Sequence, residues 1–173
     1  MIRLFSGCLR FRCTTFIFIF FITALFTCGE RITPAVPQLP ATLESLELKE
    51  SVVGVEAKKF LYRMHGALTG SKNCIIGYYS PDKKNALYIS AFTDDEQAAR
   101  ALKKMLVKIE HSTAGFAPVE LDKKDDMHLY RTRGMGLNHV FYRQGNLILW
   151  WQVKPEKFEE TLTCLLKENF SSH

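Results

Sequence analysis

Apolar and polar positions alternate most strictly over residues 137–153, LNHVFYRQGNLILWWQV. Two runs rich in β-branched and aromatic residues flank Gln144-Gly145-Asn146, which can supply the positive φ of a two-residue hairpin turn. The period of two puts Val140, Tyr142, Leu147, Leu149, Trp151 and Val153 on one face, the expected core face. His139, Phe141, Arg143, Ile148, Trp150 and Gln152 share the other, a mixture of aromatic and polar groups.

Helical periods appear in three places. Ala57, Phe60, Leu61 and Met64 recur at helical spacing within 56–65, with Gly66 placed as a C-terminal cap. Thr93-Asp94-Asp95-Glu96 reads as a capping box, and behind it Ala98, Leu102, Met105 and Ile109 form a buried stripe. Arg100, Lys103, Lys104 and Lys108 lie mostly away from that stripe and read as a solvated face. A last helix follows Pro155, with Phe158, Leu162 and Leu165 inward. Strands are expected at 74–79 and 86–92 around a Ser80-Pro81-Asp82 turn, and at 116–121 and 127–131 around a charged turn at 122–126. Residues 43–51 show no decisive period, and 52–55 is a brief apolar approach. The order is α-β-β-α-β-β-β-β-α, an α+β domain with an antiparallel sheet of about six strands and helices packed on one face. One uncovered face would leave His139, Phe141 and Trp150 near solvent.

The first 29 residues have a different character. Arg3, Arg10 and Arg12 precede an apolar run at 16–26 that is shorter than the roughly 20 residues of a membrane-spanning helix. This is the pattern of a secretory signal peptide over 1–29, with an uncleaved anchor helix as the alternative. Leu25-Phe26-Thr27-Cys28 resembles a bacterial lipobox, in which Cys28 is acylated and becomes the mature N-terminus; ordinary cleavage after Gly29 is the other reading. Pro34, Pro37 and Pro40, three apart, make 30–42 an extended tether, and 43–173 is left as a single domain. The expected place is outside the inner membrane, facing the periplasm and held through an N-terminal lipid or the uncleaved leader. A soluble periplasmic or secreted form is the alternative.

Charge then changes meaning. Taking the three leader arginines from 23 basic residues leaves 20 against 18 acids, a net of +2 and no footprint for nucleic acid. An exported domain would keep only Cys74 and Cys164 beyond Cys28, as a disulfide tying a strand to the last helix or as two buried thiols. No CxxC, HExxH or GxSxG is present, so no catalytic residue, metal or cofactor is assigned.

Two constellations remain as ligand-binding candidates. Gly134 and Gly136 lie among Arg131, Arg133 and Arg143, which could hold an anion; a flexible strand connection is the plainer reading. Phe141 and Trp150, with His139 beside them, could form an exposed binding face, unless another element such as 43–55 covers it. His65 at a helix end, and His128 with His139 on neighbouring strands, are weaker metal or haem candidates.

Residues 54–153 resemble a pattern seen in small exported bacterial proteins of lipoprotein type that form a domain of unknown function. Gly54-Val55-Glu56-Ala57, Met64-His65-Gly66, Leu87-Tyr88-Ile89-Ser90 and the run from Gly134 to Tyr142 ahead of Leu149-Trp150-Trp151 carry the resemblance. It implies no catalytic residues. The expected activity is non-enzymatic binding of an envelope protein or a small ligand. The alternative is an enzymatic or metal- or haem-binding domain centred on His139 and the glycine loop.

Overall fold

The computed structural model describes residues 34–65, 70–124 and 126–170. The leader, Cys28, Gly66 and Asp125 lie outside the described residues, as does the side chain of His65.

A small hairpin, β1 (Thr42–Leu43) and β2 (Leu46–Glu47), precedes the sheet. Then come β3 (Glu50–Val53), α1 (Gly54–His65), β4 (Asn73–Tyr78), β5 (Ala86–Ala91) and α2 (Asp95–Glu110). β6 (Glu120–Lys124), β7 (Met127–Gly134), β8 (Leu137–Gln144) and β9 (Leu147–Val153) follow. A 3-10 turn (Pro155–Lys157) leads into α3 (Phe158–Leu165). The sheet runs β3-β4-β5-β9-β8-β7-β6, antiparallel throughout. The expected α+β fold and element order hold. The seventh strand is β3, too short and too mixed in polarity to show a period.

The β8–β9 hairpin turns at Gly145 and Asn146, between the paired Gln144 and Leu147. Gly145 takes φ +57 at the first central position, the one that a type II′ turn reserves for glycine. The register joins Val140 to Trp151 and Phe141 to Trp150, so the two expected faces are sorted as the alternation requires.

Both faces are buried, and this corrects the expectation of helices on one face. Leu87, Leu149, Trp151, Leu162 and Leu165 belong to one apolar cluster, which α3 covers together with Leu43 of β1 and Leu39. Ile76, Tyr88, Leu102, Met105, Phe141 and Trp150 belong to a second cluster, beneath α1 and α2. Short connections did not reveal this, because a helix can pack on either side of an antiparallel sheet without altering strand order. Burial also reaches into the expected tether. Segment 34–40 has no helix or strand, but Leu39 is buried and the Pro40 carbonyl accepts a bond from the Tyr79 hydroxyl at 2.9 Å.

Two local expectations shift. The N-cap of α2 is Asp94, whose carboxylate accepts the Gln97 amide at 2.7 Å and also holds the Gln97 side chain at 2.8 Å. Asp94 displaces Thr93 because a charged acceptor binds the helix N-terminus more strongly than a hydroxyl. The strand expected at 116–121 starts only at Glu120 and continues through Lys124, leaving 112–119 without regular structure. Asp94→Ala should therefore lower stability by about 1 kcal/mol in denaturant titration, while Thr93→Ala stays within a few tenths.

Candidate functional site

β7 and β8 are joined by Met135-Gly136, with φ +53 and +74, between the paired Gly134 and Leu137. The glycine-rich loop is thus a tight hairpin turn rather than an anion cradle. Gly134 is a glycine for another reason. A Cβ there would meet the Phe116 ring at 2.5 Å. Phe116 comes from the irregular segment after α2, pinned to β7 at the next residue. The Ala117 amide donates to the Arg133 carbonyl at 2.8 Å, and its carbonyl accepts from the Thr132 hydroxyl at 2.7 Å.

Phe116 lies over the pair formed by His139 and Trp150, with ring centroids 5.2 Å and 6.4 Å away. The Trp150 indole N–H donates to His139 Nδ1 at 3.1 Å. An indole nitrogen can only donate, so Nδ1 must accept and the proton sits on Nε2. Nε2 then donates to the Gly134 carbonyl at 3.1 Å. Burial holds the imidazole below its ordinary pKa, opposed only in part by the bond to Gly134.

Of the two readings of this face, the covered one holds: His139 is 1%, Phe141 0% and Trp150 5% exposed. The cover is mainly α1, α2 and Phe116; of segment 43–55, Val52 packs on this face, while Leu43, Leu46 and Leu48 pack on the opposite one. Phe141 is sealed between Tyr130 and Trp150, at 5.8 Å and 5.2 Å. His139 and Trp150 instead end at the wall of a cleft of about 480 Å³, between the C-terminal part of α2 and the β7–β8 turn. Met64, Met105, Ile109, Phe116 and Met135 supply most of the apolar lining, and Lys108, Ser112, Thr113 and Gln152 the polar part.

The three arginines do not converge on one site, although two of them share a face. Arg131 and Arg133 project to the α3 side, and Arg143 to the α2 side, by the alternation of β7 and β8. Arg131 pairs with Asp122 at 3.2 Å and Glu159 at 3.3 Å, over the Phe158 ring. Arg143 bonds the Gly145 carbonyl at 2.9 Å and meets Asp95 at 3.6 Å. Arg133 is exposed and lines a separate cleft of about 250 Å³ with Arg131, Asn138 and Glu159. His128 pairs with Lys123, four residues along β7 from Thr132, the partner of His139 on the next strand; the two histidines are thus about 14 Å apart. Cys74 and Cys164 are both free and pack in clusters on opposite faces of the sheet, the arrangement of the two-thiol reading and not of the bridge. The Cys74 thiol lies 3.5 Å from the Ser71 hydroxyl and 3.8 Å from that of Ser90.

Sequence reasoning found His139 and Trp150 but missed Phe116 and the methionines. Gly134 carried the signal: a glycine at a paired strand position, outside the turn itself, marks a close approach by another group. No protein-family model matches this sequence, and no curated protein is similar enough to it to match.

The neutral His139 gives a pH dependence. Its folded-state pKa is depressed, so the unfolded chain takes up the proton first as pH falls below the ordinary value of about 6.5. Stability from this residue is full above that value and declines as pH falls through the folded-state value. Denaturation midpoints should therefore drop below about pH 6.5, and His139→Gln should flatten that dependence.

Proposed function

We propose that this chain is an exported, lipid-anchored envelope protein of bacterial type whose folded domain binds a small apolar ligand without catalysing a reaction. The cleft beside Trp150 carries the reading. Its volume lies within the roughly 300–1,000 Å³ of small-molecule sites, and its wall is apolar with a few polar groups on one side. His139, the titratable group deepest in that wall, has both ring nitrogens engaged within the fold. A general base or a metal ligand needs a ring nitrogen that is free to act, which favours binding over the alternative centred on His139. Met135 at the mouth is 68% exposed and holds a backbone conformation that suits glycine. An apolar side chain kept in strain at a rim fits a contact role.

The leader supports export, and Cys28 followed by the proline-spaced segment supports anchoring. Expressed with its leader in a bacterial host, the membrane-associated protein should have the mass of a chain beginning at Cys28 plus a diacyl- or triacylglyceryl group. A lipid-free chain beginning at Glu30, or an intact leader, would overturn the anchoring. For the cleft, the full chain carrying Cys28→Ser should bind the neutral dye Nile red with enhanced emission. Ala114→Trp, at an exposed lining position, should abolish it. Absence of binding, or equal binding by that variant, would remove the cleft as the site.

A further inference from the structure

Three of the chain's five methionines, Met64, Met105 and Met135, line one cleft from α1, α2 and the β7–β8 turn. What sets methionine apart from leucine, its neighbour in size, is a sulfur that is polarisable and can donate electrons. Met105 is buried in the floor, while Met64 and Met135 are 41% and 68% exposed at the mouth, so packing accounts for the first only. Met135 also holds φ +53 in a turn where glycine or asparagine would be less strained.

A fourth donor shares the lining. His111, which ends α2, has Nδ1 at 2.7 Å from the Val107 carbonyl. A carbonyl only accepts, so Nδ1 carries the proton, and in the neutral ring the lone pair lies on Nε2. An imidazole whose other N–H is held by a backbone carbonyl is oriented as metal-binding histidines are. His139 has no such nitrogen to offer.

The donor set selects the ion. Among the described residues no three His, Cys, Asp or Glu side chains gather as a ligand set, and no carboxylate lines the cleft. Calcium and magnesium require oxygen ligands, and zinc takes imidazole with thiolate or carboxylate. Uncharged thioethers with one imidazole suit a soft ion instead. Lys108, also in the lining, is not a free charge.

We infer that the cleft binds a soft monovalent metal ion of the Cu(I) type. The thioethers of Met64, Met105 and Met135 and the Nε2 of His111 are its ligands. Met105 receives the ion at the floor, and the two exposed methionines, unbranched and flexible, close over it. This site goes beyond the apolar ligand proposed above and does not depend on it.

Silver(I), a redox-inert ion of the same class, tests it. The full chain carrying Cys28→Ser, isotopically labelled at its methionine methyls, is titrated with silver nitrate in halide-free buffer and followed by methyl NMR. The titration runs past the four equivalents that Cys8, Cys13, Cys74 and Cys164 can take. The Met64, Met105 and Met135 signals should then move together over one further equivalent, while Met127, packed on the opposite face, stays in place. The chain with all five cysteines changed to serine should show the same response from the first equivalent. Zinc nitrate should move none of these signals. Met135→Leu and His111→Gln should each weaken silver binding about tenfold or more, with an unchanged Met127 signal as the check on folding. Separate titration of the three methyls, an equal response at Met127 or an equal response to zinc would overturn the inference. Undiminished binding by His111→Gln would overturn the part given to the imidazole. A silver site without Nile red binding would leave this inference standing and remove the apolar-ligand reading.

Discussion

Trp150 and Trp151 are neighbours on one strand, point to opposite faces and are both buried. No arrangement with a single covered face satisfies that pair. Each indole brings a large apolar surface and one N–H that needs a partner once water is gone. Trp151 donates to the Thr161 hydroxyl on α3 at 3.1 Å, and Trp150 donates to His139 on β8 at 3.1 Å. The first bond ties α3 to its side of the sheet. The second fixes the tautomer of His139 and shapes the wall of the cleft. The two-sided architecture and the candidate site thus follow from the same two adjacent residues.

Much of this was legible from alternation and capping. Every face assignment in the β8–β9 hairpin follows from the period of two, and the α2 stripe of Ala98, Leu102, Met105 and Ile109 is buried as its spacing requires. The second buried face was not legible. His139, Gln152 and Arg143 share it with Phe141 and Trp150, and such a mixture reads as a surface unless the partners of its polar atoms are known. Those partners, Gly134 for His139 and Asp95 for Arg143, come from positions that local periodicity does not relate to them.

The site itself was the least legible part. Phe116 lies in a segment that reads as the start of a strand but has no regular structure, and its placement depends on two bonds between Ala117 and β7. The clustering of Met64, Met105 and Met135 is a tertiary fact, since each sits on a separate element and has a local reading as a core or turn residue. The arginines erred in the opposite direction. Their closeness in sequence suggested one anion site, but the pleat sends them to different faces, where Asp122, Glu159 and Asp95 neutralise two of the three.

The outer strands have a consequence for how molecules of this protein coexist. β6 is exposed along its whole length and carries Glu120, Asp122, Lys123 and Lys124, while β3 at the other border is only four residues long and runs directly into α1. A second molecule extending the sheet past β6 would have to desolvate a row of mixed charges, and past β3 it would find little backbone to pair with. Copies can therefore stand close together at high local concentration without their sheets joining into a continuous ribbon.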